Sequence, residues 1–206
     1  MNPIRLLATM ACVLALPHPA VADGDTVRVR MQTTAGSIDI ELDAKRAPLT
    51  VANFLRYVDA GRYDGATFYR TVTRANDHGS PVIEVIQGGL GNAAAPWPPI
   101  AHESTAQTGL SHLDGTISMA RGEAGTASSE FFICIGAQPG LDYGAPRNPD
   151  GQGFAAFGRA VSGMETVRRI HRQPAEGAAD SAYVEGQMLT VPVRILEVRR
   201  VPPPGS

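Results

Sequence analysis

Val27, Val29 and Met31, and then Ile38, Ile40 and Leu42, alternate with polar residues on either side of Thr33-Thr34-Ala35-Gly36. Period-two alternation in two short runs around a turn predicts a β-hairpin with one buried face. The period then changes. Val51, Phe54, Leu55 and Val58 stand at i, i+3, i+4 and i+7, which predicts an amphipathic helix over residues 48–58, with Thr50 as N-cap and Gly61 as stop. Short β-like runs follow at Ala66–Val72, Val82–Gln87, Thr116–Ala120, Phe131–Cys134 and Phe154–Gly158, separated by segments rich in Gly, Pro, Asn and Asp. A second helix is predicted from Ser162. There Ser162-Gly163-Met164-Glu165 has the form of a capping box, and Met164, Val167 and Ile170 make an apolar stripe. Val191–Val201 reads as a closing strand. About eight short strands with two helices and no βαβ repeat predict a mainly β domain, a closed eight-stranded antiparallel barrel capped by two α-helices. Closure removes the exposed edges that so many short strands would otherwise present.

The first 22 residues follow a different logic. Arg5 precedes an uncharged run from Leu6 to Leu16, Pro17 and Pro19 break it, and Ala20-Val21-Ala22 has the A-x-A form of a cleavage site. The run is shorter than the ~20 apolar residues that a membrane span requires. Residues 1–22 are therefore expected to be a signal peptide cleaved after Ala22. A domain over 23–201 and a frayed tail over 202–206 would follow, exported to a compartment such as the periplasm. The mature chain would have 184 residues and a net charge of −3, with Cys134 its one cysteine, so no internal disulfide is available.

Composition narrows the chemistry. The net charge of the full 206 residues is −2, which argues against a nucleic-acid binder. Of the 18 basic residues only Lys45 is a lysine, and it lies in a polar patch with Asp43 and Arg46. Amine chemistry is nearly excluded and arginine becomes the cation to follow. The five histidines form no metal-ligand spacing, so neither metal nor cofactor is expected. Ser111-His112-Leu113-Asp114 contains hydrolase residue types, but sequence neighbours seldom converge and no G-x-S-x-G elbow surrounds the serine. Gly88-Gly89-Leu90-Gly91 is too short for a dinucleotide fingerprint. Phe131 and Phe132 are adjacent. In a strand they face opposite ways, one toward the core and one able to line a pocket.

Several segments together carry a specific pattern: Ala47-Pro48-Leu49-Thr50-Val51-Ala52-Asn53-Phe54, Asp64-Gly65-Ala66-Thr67-Phe68-Tyr69-Arg70, Ile86-Gln87-Gly88-Gly89, Ser118-Met119-Ala120-Arg121, Ser129-Glu130-Phe131-Phe132-Ile133-Cys134, and Gly151 through Gly158. In this order the chain resembles the cyclophilin family of peptidyl-prolyl cis-trans isomerases, from about Val27 to Val201. The resemblance implies an eight-stranded barrel with two capping helices and proline-containing polypeptides as substrates. It assigns catalysis to Arg70, aided by Gln87, and a proline cup to Phe132 with Leu141 and Val85. It assigns the binding of residues before the proline to Ala120 and Arg121. Phe68 and Glu130 are further expected beside the substrate. A monomer, with no nucleic-acid partner and no membrane contact after cleavage, completes the expectation. A non-catalytic binding module or chaperone would keep the same proline groove; retention of Arg70, Gln87 and Phe132 favours the enzyme.

The chain departs from the pattern in places. Sixteen residues separate Arg70 from Gln87, longer than usual, and the polar stretch Thr73–Val82 reads as an inserted loop protruding near the site mouth. The insertion places Glu84 where the resemblance implies an aromatic pocket wall, so Glu84 is expected to turn away while another apolar residue fills the cup. Glu130 replaces a frequent Gln and would put negative charge near the groove. Gly140 replaces a usual tryptophan, which implies weak cyclosporin binding.

Overall fold

The computed structural model describes residues 25–91 and 93–202. The expected signal peptide lies outside the described residues, as does the tail beyond Pro202. Eight strands form a closed barrel: β1 (Thr26–Thr33), β2 (Gly36–Asp43), β3 (Thr67–Val72), β4 (Val85–Gly89), β5 (Thr116–Met119), β6 (Phe131–Cys134), β7 (Ala155–Ser162) and β8 (Met188–Arg200). Their order around the barrel is β1-β2-β7-β5-β6-β4-β3-β8, and each neighbouring pair is antiparallel. The helices are α1 (Pro48–Asp59), a single turn α2 (Thr105–Thr108) that hydrophobic periodicity did not signal, and α3 (Met164–His171).

The alternation read from the sequence sets the interior. Val29, Met31, Ile38, Ile40 and Leu42 are fully buried inside the barrel. Phe54 of α1 meets Tyr63, Phe131 and Phe157 with ring centroids 5.1, 5.6 and 5.3 Å away. Burying each such side chain stabilises the fold by about 1.5–3 kcal/mol. Strand β6 divides two cores. Phe131 and Ile133 join the barrel interior, whereas Phe132 and Cys134 join a smaller outer cluster with Val72, Ile83, Val85 and Leu141. Burial pushes the Cys134 thiol pKa far up, as suits a core filler.

Both expected caps are corrected. Thr50 lies inside the first turn of α1, whose N-cap is Ala47. The free N–H groups of Leu49 and Thr50 instead donate to the Glu103 carboxylate at 3.1 and 2.7 Å, and the Thr50 hydroxyl donates to the same group. A remote acid thus does what a local cap would do, and its charge suits the positive end of the helix. Ser162 ends β7, and Gly163, at φ +85°, is the N-cap of α3. A side chain at Gly163 would strike the Ser37 carbonyl, so the chain turns there on glycine.

The insertion is anchored to the body of the fold. Asp77 makes a two-pronged ion pair with Arg147 at 2.7 and 2.8 Å, and its carboxylate also accepts the N–H groups of Gly79 and Ile83. Arg147 and Asp77 side chains are only 3% and 0% exposed. Asn76 donates to the carbonyls of Thr71 and Gly186. The polar residues that suggested a solvated loop are the ones that tie it down. Pro81 packs over Gly140, where any side chain would collide with it. Gly140 thus leaves the room that Pro81 of the insertion occupies.

Candidate active site

The groove lies outside the barrel, on the face of the smaller core. Strict alternation from the buried Phe68 would turn Arg70 inward as well. The register of β3 shifts between Phe68 and Arg70 against both β4 and β8. This irregularity frees Tyr69 from pairing and directs both Tyr69 and Arg70 outward, a known use of bulges beside functional sites.

Arg70, Val85, Gln87, Ala120, Arg121, Phe132 and Leu141 converge on this groove, joined by Val72, Ile83, Arg147, Asn148, Phe154 and Tyr183. Ile83, Val85 and Gln87 alternate onto the groove. Glu84, of opposite parity, stays out of it and extends the ladder, its carbonyl accepting the Ile135 N–H at 2.9 Å. Ile83 and Phe154 complete the apolar cup instead of an aromatic residue at 84.

Two expected contacts are corrected. Phe68 is fully buried in the barrel interior, 5.7 Å from the Phe131 ring, and offers no surface to the groove. Glu130 sits behind the groove. Its carboxylate accepts the Tyr69 hydroxyl at 2.5 Å, the Leu90 and Gly91 N–H groups at 2.8 and 3.1 Å, and the Ser129 hydroxyl at 3.0 Å. Burial raises its pKa, opposed by these four donors. Arg121 lines the groove, but its guanidinium folds back onto the Gly153 carbonyl and Asp150. The Arg121 hydrogen bonds lower the Asp150 pKa to about 2. Arg121 also lies over the Phe154 ring at 5.2 Å, and Phe154 meets Phe132 edge-on at 5.3 Å.

Arg70 is held by two amide oxygens. Gln87 Oε1 accepts from Nη1 at 3.0 Å, and Gln187 Oε1 accepts from Nε at 2.9 Å and Nη2 at 2.5 Å. Gln187 is fully buried, and its own amide donates to the Asn76 carbonyl at 2.6 Å. Among the described residues no carboxylate lies within 4.0 Å of Arg70. These contacts use three of its five N–H donors, so the fork keeps two beyond them, with the Tyr183 hydroxyl nearby, and a charge that no neighbouring carboxylate neutralises. Burial lowers its pKa. Behind it runs a relay: Gln87 Nε2 donates to the Tyr69 hydroxyl at 2.9 Å, which donates to Glu130. Sequence reasoning gave Tyr69 no role and missed Gln187, Arg147 and Tyr183. The last three lie far along the chain from Arg70 in segments without hydrophobic period.

The serine, histidine and acid types do converge, in a different set. His112 Nδ1 is 2.7 Å from Asp142 and Nε2 is 2.9 Å from Ser118 Oγ. Ser118 and the His112 side chain are fully enclosed, so no ester can reach the hydroxyl. The imidazole stacks on Phe132 at 5.9 Å and braces the cup from beneath.

Comparison with known proteins fits this geometry. Residues 28–200 match the family model described as cyclophilin type peptidyl-prolyl cis-trans isomerase/CLD. A protein of Dickeya dadantii named peptidyl-prolyl cis-trans isomerase A is 35% identical, the match covering 91% of this chain and 94% of that one. A peptidyl-prolyl cis-trans isomerase of Acinetobacter baylyi is 32% identical over 83% of this chain and 84% of its own. The crystal structure of a Cryptosporidium parvum cyclophilin type isomerase superposes with a TM-score of 0.66 at 20% identity, covering 87% of this chain and 99% of that chain, which speaks for the fold. The barrel, the groove and these relatives lead to one conclusion: the chain belongs to the cyclophilin-type peptidyl-prolyl cis-trans isomerase family and is an enzyme of that class.

Proposed function

We propose that the enzyme rotates X–Pro bonds in unfolded or partly folded exported proteins, with Arg70 weakening amide resonance while the outer cluster holds the proline ring. The cis and trans forms differ by only about 0.5–1 kcal/mol, but a barrier of about 18–20 kcal/mol separates them. The barrier is the conjugation of the amide, so a catalyst must favour the twisted amide over both planar forms. As the amide twists, the prolyl nitrogen regains a lone pair. A cation with spare N–H donors stabilises that lone pair more than it stabilises a planar nitrogen. The observation that carries this reading is Arg70 itself, fixed by two neutral oxygens beside the apolar cup with two further donors and a charge that no neighbouring carboxylate neutralises. A glutamine pair orients the guanidinium without neutralising it, as a carboxylate would. Phe132, Leu141, Val85 and Ile83 supply the apolar walls, and the segment at Ala120–Arg121 takes the backbone before the proline. No covalent step is needed.

Replacing Arg70 with alanine is expected to cut turnover in a protease-coupled prolyl-peptide assay by about 100-fold or more. Near-normal turnover with an intact fold would remove Arg70 from the mechanism. Export rests on the Arg5, Leu6–Leu16 and Ala20-Val21-Ala22 pattern. Expression of the full chain in a bacterium followed by mass measurement of the periplasmic product tests it, the expected N-terminus being Asp23. A monomer is the expected state of that product.

A further inference from the structure

We propose that Tyr183 forms a subsite for the residue that follows the proline, selecting aromatic or large aliphatic side chains there. This rests on the placement of the proline in the cup of Phe132 and of the preceding residues at Ala120. The barrel order β5-β6-β4-β3-β8 lays the groove residues out as a series. Ala120 follows β5, Phe132 stands on β6, Gln87 on β4 and Arg70 on β3, and Tyr183 lies in the turn Ala182–Val184 just before β8. A peptide that enters over Ala120 and seats its proline on Phe132 therefore leaves past Arg70 toward Tyr183.

The ring is presented and held. Tyr183 is 51% exposed, yet it lines the groove. The Arg70 guanidinium carbon is 5.5 Å from its centroid, and its hydroxyl accepts a hydrogen bond from Arg147 Nη2 at 3.1 Å. Arg147 is in turn fixed by the buried carboxylate of Asp77 and by the Pro81 carbonyl at 2.9 Å. A buried ion pair is poor evidence of stability gained, because desolvation offsets its attraction. Here it sets an exposed aromatic ring at one position beside the proposed catalytic cation. Segments from three parts of the chain outside the barrel meet to do this: the insertion around Asp77, the loop bearing Arg147, and the turn bearing Tyr183. An aromatic ring held rigid offers a large apolar contact at small entropic cost.

The test is exchange NMR, without a coupling protease, on peptides Ala-Ala-Pro-Yaa-Ala in which Yaa is Phe, Leu, Gly or Asp. The wild-type enzyme is expected to turn over the Phe peptide with about tenfold higher kcat/KM than the Gly peptide, the size of one good aromatic contact. Tyr183→Ala is expected to bring that ratio to about two or less, and Tyr183→Phe to keep it. Equal wild-type rates for Phe and Gly overturn the proposal, as does a ratio that survives Tyr183→Ala. A preference for Asp also overturns it, because the arginines and not the ring would then be reading the position. Circular dichroism of each variant checks the fold, and the wild-type ratio decides the question should Tyr183→Ala misfold. Failure of the Arg70 reading shows differently, as an Arg70→Ala enzyme that turns over every peptide normally.

Discussion

One oxygen, Gln187 Oε1, accepts hydrogen bonds from both Nε and Nη2 of Arg70, at 2.9 and 2.5 Å. The residue just before β8 thereby sets the plane of a guanidinium on β3. Replacing Gln187 with leucine removes the acceptor and frees the Arg70 side chain to rotate. kcat is expected to fall about tenfold, the scale of a lost orienting contact, with a smaller change in KM. Gln187→Glu keeps an acceptor but places an anion against the guanidinium. If uncompensated charge on Arg70 drives the reaction, this variant should also lose turnover; it gives up the donor to the Asn76 carbonyl too, so a lowered melting temperature is expected beside the kinetic loss. Steady-state kinetics of the pair separate orientation from charge.

Asp77 and Arg147 form a nearly inaccessible ion pair. Asp77→Ala leaves the arginine buried and unpaired, and the expected loss in denaturant unfolding is about 3–5 kcal/mol. The double variant Asp77→Ala, Arg147→Met should recover most of it. Burial raises the Asp77 pKa, but the Arg147 hydrogen bond and the N–H groups of Gly79 and Ile83 outweigh it, so the net shift is below 3.8. The folded state thus holds this group ionised to lower pH than the unfolded chain does. Its contribution is complete above pH 3.8 and is lost as pH falls through the depressed folded value. A stability profile against pH that is flat through this region in wild type would contradict the assignment.

Glu130 reaches Arg70 only through Tyr69 and Gln87. Burial raises its pKa above 4.5, so it gains a proton earlier on acidification than an exposed glutamate would. Protonation turns one accepting oxygen into a donor and disturbs the relay. The kcat profile is therefore expected to show an acid limb with its midpoint above pH 4.5, absent in Glu130→Gln. That variant offers one acceptor where the ionised carboxylate offers two, and about a threefold loss of kcat at neutral pH is expected from its misplaced hydrogen bonds.

Gly140 carries Pro81 of the insertion. Gly140→Trp should displace the insertion and lower stability by about 1–3 kcal/mol or more, as overpacking does. The same glycine underlies the expectation of weak cyclosporin binding. A calorimetric titration of the wild-type enzyme checks it, and low-nanomolar affinity would contradict it.

The barrel was legible because alternation in β1 and β2 repeats over enough residues to specify which face is buried, and because the short apolar runs that follow are separated by turn residues. The groove residues were legible through a resemblance carried by short motifs around Arg70, Gln87 and Phe132. What escaped had no local signal. Glu103 caps a helix more than fifty residues before it. Gln187 lies in an irregular segment, and no period marks a buried glutamine. The irregularity at Tyr69 reverses the facing that alternation assigns to Arg70. The polarity of Asn76 and Asp77 was read as solvation, whereas these side chains satisfy buried partners. Composition reports that a residue needs a polar partner and not whether that partner is water.

Adjacent phenylalanines on β6 answer to different demands. Changes at Phe131 should register in melting, and changes at Phe132 in turnover, although the two share a peptide bond. The strand acts as a party wall between a room that must stay shut and one that must stay open to guests. Substitutions in the outer room are therefore expected to change substrate preference while leaving the barrel interior packed. The exception is where the His112 imidazole stacks beneath Phe132, because there the furnishing is bolted through the floor.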